Sequence, residues 1–494
     1  MPVIKQDLLR LLSKVSAIST QHSCRAYVVG GFVRDWLLDR ETADIDIAIG
    51  GDALTMAQEV AKAIDGKYVL LDEANRVARV VVVDDEQRWH LDFTSFPGSI
   101  ESDLVRRDFT MDAMAVELQG LTSGSAQVVD PFCGERDLKI GLVRVVNQRV
   151  FEEDAARLLR AVRLAAELGF EIEPATEGLI QQNCQLARLV SGERLREELL
   201  RLLALPGSSD SVRYLDELGL LTEVIPELGE MKGVEQPKEH YWDVFNHSVE
   251  TVASVEFLVR QSQWKYGKRD LLAVTPWSDE IRQHFEEEVS SGSTRRLLLK
   301  LGGLLHDIAK PVAKTVDETG KMRFLGHAKQ GAAMAAAILG RLRFSSREIR
   351  LMENLVYHHL RPAQMANGAL PTSRAIYRYF RDTEDAGIDV LFLALADYLA
   401  THGPRLDVEE WQQHNHLMDY ILTEHFKQQA EALPVKLIDG HDLMDAFGLN
   451  PGPLVGELLT EVREAQASGE VGTREEALAL ARKELEKRHC GAAS

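Results

Sequence analysis

Residues 26–49 read Ala26-Tyr27-Val28-Val29-Gly30-Gly31-Phe32-Val33-Arg34-Asp35-Trp36-Leu37-Leu38-Asp39-Arg40-Glu41-Thr42-Ala43-Asp44-Ile45-Asp46-Ile47-Ala48-Ile49. The opening four residues form a short apolar strand that runs into two glycines. A helix over 32–38 follows, and then a second strand over 44–49 that begins in polar–apolar alternation. Side chains at i and i+2 of a strand point to the same face, so Asp44 and Asp46 present two carboxylates side by side. Carboxylates so placed can share divalent cations with the phosphates of a nucleotide, the arrangement that serves in-line phosphoryl displacement. Asp92 lies on a further predicted strand, on one face with His90 and Thr94, and is a candidate third ligand. Alone, an Asp-x-Asp is more often a solvated strand edge or the approach to a turn.

The upstream glycines add weight. Backbone N–H groups at a helix start attract phosphate, and the missing side chains of Gly30 and Gly31 allow close approach. Arg34, one turn into the helix, would add charge to a triphosphate. A Gly-Gly turn followed at this distance by Asp-x-Asp reads as a nucleotidyltransferase palm.

Further strands are predicted at 68–71, 77–83 and 89–93, with a helix over 52–64, and this α/β patterning stops near Gly141. Helical periodicity then dominates, with interruptions. The polar stretch 261–295 has no sustained period and reads as an insertion or long loop. The expected class is α+β: a small N-terminal palm of mixed sheet and helices, then an all-helical neck, body and tail. The expected boundaries are 1–140 for the palm, 141–205 for the neck, 206–430 for the body and 431–494 for the tail, the last segment beginning at Val435.

The chain has 494 residues, 45% apolar and 27% charged, which is globular composition and excludes a disordered or fibrous chain. A net charge of −20 excludes a basic footprint over the whole surface, though not a local one. No apolar run approaches the length of a membrane span. Residues 1–21 mix Lys5, Asp7, Arg10 and Lys14 among leucines, which is an amphipathic helix rather than a signal peptide. Cys24, Cys133, Cys184 and Cys490 form no close pair and no zinc spacing, so free thiols in a reducing cytoplasm are expected.

Two motifs connect these features. Arg106-Arg107-Asp108-Phe109-Thr110-Met111-Asp112-Ala113-Met114-Ala115 resembles the Arg-Arg-Asp-Phe-Thr-x-Asn-Ala-x-Ala motif of class II tRNA nucleotidyltransferases and the related bacterial poly(A) polymerases. Asp112 stands where that family has Asn, so a hydrogen-bond donor is missing. Asp130-Pro131-Phe132-x-Gly134-x-x-Asp137-Leu138 resembles the motif that follows, and the likeness covers residues 26–202. It implies Mg2+ at Asp44 and Asp46, with Asp92 beside them. It also implies nucleotide contacts from Gly30, Gly31, Arg34 and Arg107.

The helix expected over 152–168 carries polar residues at every third position, each step drifting about 60° around the axis. Asp154, Arg157 and Arg160 would therefore share one broad face, with Arg163 half a turn round from Asp154. Cytosine and adenine both present an amino donor beside a ring-nitrogen acceptor, and uracil and guanine present the reverse. A carboxylate beside a guanidinium selects C and A together; an i,i+3 surface ion pair has the same spacing. The family resemblance assigns Asp154 and Arg157 as the template for the incoming base, with Arg160 and Arg163 as further contacts. Between Gly141 and Arg201 the cationic residues are nine Arg and no Lys, a bias that suits bidentate contacts to bases and phosphates. Ser191-Gly192-Glu193-Arg194-Leu195 resembles the motif that closes this neck, with a structural role.

A second constellation lies downstream. His306-Asp307 ends an apolar helix over 297–305, and both would be costly to bury unpaired. With His247 upstream and His327, His358, His359 and Asp397 downstream, the order resembles HD-type metal phosphohydrolases. The resemblance implies one metal on His247, His306, Asp307 and Asp397, and a second completed by His327, His358 and His359. The metal would be a divalent Ni, Mn, Fe or Co, or Mg, generating a hydroxide for phosphoester hydrolysis. The tail, from Gly440-His441-Asp442 through Pro451-Gly452-Pro453, resembles that of some class II enzymes and implies tRNA contact.

The expected activity is addition of CMP and AMP to tRNA 3′ ends: all of CCA, its C's only, or its terminal A only. Partners are tRNA, ATP and CTP, with no DNA and no membrane. The alternatives are a poly(A) polymerase, or a metal phosphohydrolase whose N-terminal half only binds RNA or nucleotide.

Overall fold

The computed structural model describes residues 4–84, 87–290, 292–365, 370–430 and 436–491. The expected start at Val435 and the Cys490 side chain lie outside the described residues. The chain divides into two compact units, 1–198 with 214–224, and 199–213 with 225–494. The class is α+β.

In the first unit, Gln6–Gln21 is the expected amphipathic helix, with Leu8, Leu11, Leu12 and Val15 buried. The sheet contains β1 (Ala26–Val29), β2 (Asp44–Ile49), β3 (Lys67–Asp72), β4 (Val77–Asp84), β5 (Gln87–Ser95), β6 (Ala115–Glu117) and β7 (Val128–Val129). Their order across the sheet is β3-β4-β5-β2-β1-β6-β7, and among these pairs only β2 and β5 run parallel. Period-two alternation places Ile45, Ile47 and Ile49 on one face of β2, all buried. On the other face Ala48 joins Tyr27, Val29, Phe96, Leu104, Ala113 and Ala115 in a core cluster. Asp44 and Asp46 share that face but lie beyond the cluster, at the strand's exposed end. Asp52 caps the helix Ala53–Ala63 by accepting from the amides of Leu54 and Thr55.

The expected single helix over 152–168 is two. Val150–Glu153 ends at Asp154, which is extended (φ −152°, ψ 102°), and Arg157–Leu168 begins three residues later. The Asp154 carboxylate accepts from the Ala156 amide at 3.1 Å, a local bond that competes with the helical ladder. Asp154 and Arg157 therefore do not share a helix face.

In the second unit, Val244–Leu258, Arg295–Leu305 and Gly387–His402 pack on one another. His327–Arg341 pairs with Ser346–His358, the latter started by a capping box of Ser345 and Glu348. The stretch expected as an insertion or long loop, 261–295, is built structure. It holds the short helices Arg269–Ala273 and Asp279–Glu286 and the hairpin Glu288–Ser290/Ser293–Thr294. Ser278 caps the second helix, and Phe285 stacks on Trp277 and meets Phe392 edge-on. Elements this short carry too few repeats to register as a period, so a few aromatic anchors hold what patterning cannot reveal. The tail has its own core of Ile438, Leu443, Leu458, Val462, Ala477 and neighbours. Its buried Glu464 is clamped by Arg374, Arg378 and Arg381 from the helix Ser373–Thr383.

Candidate active site and candidate metal centre

The parallel register of β2 and β5 sets Asp46 opposite Asp92 and Asp44 opposite His90. Asp44, largely exposed, takes a hydrogen bond from His90 Nδ1 at 3.0 Å. β4 runs antiparallel on the far side of β5 and sets Arg79 opposite Asp92. Arg79 forks onto that carboxylate, with Nε and Nη2 each donating at 2.7 Å. Motif reading missed Arg79, but the register of the β4–β5 hairpin, counted back from its loop, would have found it.

Gly30 has φ +68°, and a Cβ there would lie 2.5 Å from Arg107 Nη1 and 2.8 Å from Asp46 Oδ2. The glycine thus lets Arg107 and Asp46 close on the end of β1. Arg107 is braced by Asp103 at 3.2 Å. Burial pushes the Asp46 carboxyl above its ordinary range, with Arg107 opposing and Asp92 reinforcing the rise. Gly30, Asp46, Asp92 and Arg107 are brought together, with Asp44 at the mouth.

Other predicted nucleotide contacts are engaged elsewhere. Arg34 is buried, donating from Nη1 to Asp112 Oδ1 at 2.8 Å and from Nε and Nη2 to Asp35 at 3.0 Å. Its guanidinium is committed to two carboxylates rather than offered to a triphosphate. Asp112 is thereby explained as a carboxylate: it accepts from a buried cation. Arg160 pairs with Asp108 at 2.8 Å and approaches Asp112 at 3.7 Å. Arg163, expected as a contact, is buried between Glu198 at 2.6 Å and Glu167 at 2.5 Å. The arginine-rich neck is less free than its composition implies, since Arg144 and Arg188 also sit on carboxylates.

The proposed template pair is rearranged. Arg157 Nη2 donates to the Arg106 carbonyl at 2.8 Å and Nη1 to that of Val150 at 3.3 Å. Its Nε is 4.0 Å from Asp154 Oδ2. Arg194 is the residue that forks onto Asp154, at 2.9 and 2.7 Å. Burial opposes ionisation of Asp154, yet Arg194, the Ala156 amide and Arg157 hold its carboxyl below the ordinary range.

In the second unit His247, His306 and Asp307 converge, as do Asp307, His327 and His359. The Nε2 atoms of His247 and His306 are 3.2 Å apart, and those of His327 and His359 are 3.3 Å apart. Asp307 lies between the groups, Oδ2 3.1 Å from His306 and 3.5 Å from His247, Oδ1 3.4 Å from His327 and 3.8 Å from His359. Asp397 Oδ1 is 3.0 Å from His247 Nε2 and 3.8 Å from His306 Nε2. His306, His327 and His359 each direct Nδ1 at a backbone carbonyl, of Gly303, Phe324 and Val356 respectively, at 2.7–2.9 Å. Donation from Nδ1 leaves the Nε2 lone pair for a cation, the usual outer-shell arrangement of metal-ligating imidazoles. Both oxygens of the fully buried Asp307 lack a well-formed hydrogen bond. The donor set therefore fits divalent metal, with Asp307 common to both groups. Burial works against a charged His306, but Asp307 and Asp397 overcome it and raise the imidazole to about 10. Burial, with repulsion from His306, pushes His359 down to about 4.

His358 is not part of this cluster. It is half-buried against Tyr357, and the charges acting on it are Arg361 and Asp382. Neighbours in sequence at a helix end face about 100° apart, so only one of the pair can point inward. Lys310, 2.6 Å from both Asp307 and Gln236, was not singled out by motif reading, although its place three residues after Asp307 puts it on the same turn.

Family models match along most of the chain: the Poly A polymerase head domain at 26–144, the RNA and SrmB-binding site of polymerase A at 169–231, the HD domain at 244–402, and tRNA nucleotidyltransferase domain 2 at 328–481. The A-adding tRNA nucleotidyltransferase of Deinococcus radiodurans is 32% identical over 94% of this chain and 96% of its own length. The CC-adding tRNA nucleotidyltransferase of Thermus thermophilus is 33% identical over 92% of each chain. The chain belongs to the tRNA nucleotidyltransferase family. Among solved structures, the Thermotoga maritima CCA-adding enzyme complexed with tRNA superposes with a TM-score of 0.61 at 22% identity, covering 98% of this chain and 96% of that one. At that identity the likeness speaks for the fold.

Proposed function

We propose that this nucleotidyltransferase adds part of the CCA end to tRNA, either the C's or the terminal A, from CTP or ATP. The pairing of Asp46 with Asp92 across β2 and β5, under the Gly30–Arg107 cradle, carries the reaction class. The restriction to part of CCA is supported by the two relatives that match along nearly their whole length, one named A-adding and one CC-adding. Asp44, Asp46 and Asp92 would hold Mg2+, which supplies charge neutralisation on the triphosphate when bound. Gly30 leaves room for the phosphates, and Arg107 sets a cation against them. Asp154 accepts from the amino group of C or A, and Arg157 donates to the ring nitrogen. Among the described residues no helix is long and apolar enough to cross a membrane. A tRNA substrate supports the cytoplasm as the site of action.

In the second unit we assign one metal to His247, His306, Asp307 and Asp397 and another to Asp307, His327 and His359, for phosphoester hydrolysis. The metals are of the Ni, Mn, Fe or Co class, or Mg.

The test offers tRNAs ending before CCA, after C and after CC, with CTP, with ATP and with both, and resolves product lengths. Expected is either extension of the ends before CCA and after C with CTP alone, or extension of the end after CC with ATP alone. A complete CCA on the shortest tRNA overturns the restriction. Long A tails on any RNA indicate a poly(A) polymerase. No extension, with phosphate released from nucleotides alone, leaves only the phosphohydrolase.

A further inference from the structure

Arg194 opens the helix Gly192–Ala204 and reaches back to a carboxylate forty residues earlier. A carboxylate offers about four acceptor positions. Asp154 Oδ1 fills both of its own, with Arg194 Nη1 at 2.9 Å and the Ala156 amide at 3.1 Å. Oδ2 takes Arg194 Nη2 at 2.7 Å and keeps one position. That same Oδ2 is the atom 4.0 Å from Arg157 Nε. The open acceptor and the donor thus lie side by side, the polarity that C and A require.

Asp154 is extended and lies between two helices, and the single bond from the Ala156 amide to Oδ1 holds one oxygen while leaving the carboxylate plane free to turn about it. Arg194 supplies the planar fork that stops this turning. Building on the base-reading role proposed for Asp154, we propose that Arg194 is a positioning residue for base selection. Its fork fixes the carboxylate plane so that only Oδ2 meets the incoming base. Without it the carboxylate turns, Arg157 is left as an unaccompanied donor, and a donor alone pairs readily with a uracil carbonyl.

The experiment measures kcat/KM on the full chain with the accepted tRNA end, for the cognate nucleotide and for UTP. The variants are Arg194→Met, Arg194→Lys and Asp154→Ala. Arg194 is 55% exposed, so its replacement leaves the core intact, and an unchanged melting profile verifies this. Each good bidentate contact is worth roughly tenfold or more in discrimination. Both Arg194 variants are therefore expected to lower the cognate-to-UTP ratio at least about tenfold, Lys failing because it cannot fork. A ratio unchanged in Arg194→Met but collapsed in Asp154→Ala overturns the positioning role and leaves the base reading standing. A ratio unchanged in Asp154→Ala overturns the base reading, and the positioning role with it. Wild-type selectivity in Arg194→Lys shows that charge alone suffices and overturns the fork. A lower cognate KM in Arg194→Met at unchanged ratio makes Arg194 a competitor of the base, which also overturns it.

Discussion

Replacing Gly30 by alanine tests the geometry of the nucleotidyltransferase site through one methyl group. Gly30 has φ +68° and ψ −140°, a region populated essentially by glycine alone, and holding an L side chain there costs about 2 kcal/mol. The new Cβ would also fall 2.5 Å from Arg107 Nη1 and 2.8 Å from Asp46 Oδ2. The guanidinium is the end of a flexible side chain and can swing away, but Asp46 is fixed by pairing of β2 on both sides. The strain should lower the melting temperature of the first unit by about 2–4 °C per kcal/mol, a few degrees in all. The catalytic effect should be far larger, because a misplacement of roughly 1 Å at a reacting centre costs about 10²-fold. Incorporation of labelled CMP or AMP at saturating nucleotide is therefore expected to slow about 100-fold in a protein still folded at 25 °C. Gly31→Ala is the control for stability. The nearest atoms to its Cβ would be those of the flexible Arg34 guanidinium, at 3.4 Å and beyond, and its melting temperature should match wild type. Wild-type turnover by Gly30→Ala would refute the claim that Asp46 and Arg107 close over this glycine.

The metal assignment predicts that Asp307→Asn loses both bridged ions, read as metal-to-protein ratio by mass spectrometry, and loses phosphoester hydrolysis. Nucleotide addition should persist, since no ligand is shared with Asp44, Asp46 and Asp92; equal loss of both activities refutes the division. A pH effect should arise at His425, which stacks on Phe380 and which burial pushes down to about 4. Its folded value lies below the ordinary one of about 6.5, so the unfolded chain binds more protons between those limits and stability falls as pH drops through that window. The denaturation midpoint should be lower at pH 5 than at pH 7, and His425→Gln should narrow the gap; an unaltered gap counts against a half-buried, neutral imidazole.

Legibility followed the range of the interactions concerned. Asp44 and Asp46 were readable because strand alternation is local, and Gly30 because a strand-to-helix turn next to apolar runs leaves a local mark. His306-Asp307 was visible at the end of an apolar helix for the same reason. The neck misled where local periodicity was extended across Asp154, whose carboxylate bonds the Ala156 amide and breaks the helix. The partners that Arg34 finds in Asp112, Arg163 in Glu198, Arg157 in the Arg106 carbonyl and Asp154 in Arg194 were not legible at all. Each is a pairing over tens of residues or with a backbone carbonyl, to which composition and spacing are blind.

By itself, then, the order of residues determined the α+β class, the motif-bearing carboxylates and most of the histidines and aspartates that converge in the second unit. These depend on chain-local geometry and on residue types that have few other uses when buried. Tertiary structure alone decided which charges are free to act. It spent the buried guanidiniums of Arg34 and Arg163 on carboxylates, turned His358 away while His359 faced Asp307, and set Arg79 on Asp92 and Arg194 on Asp154. The reason is that a buried guanidinium or carboxylate must find its counter-charge wherever folding has placed one.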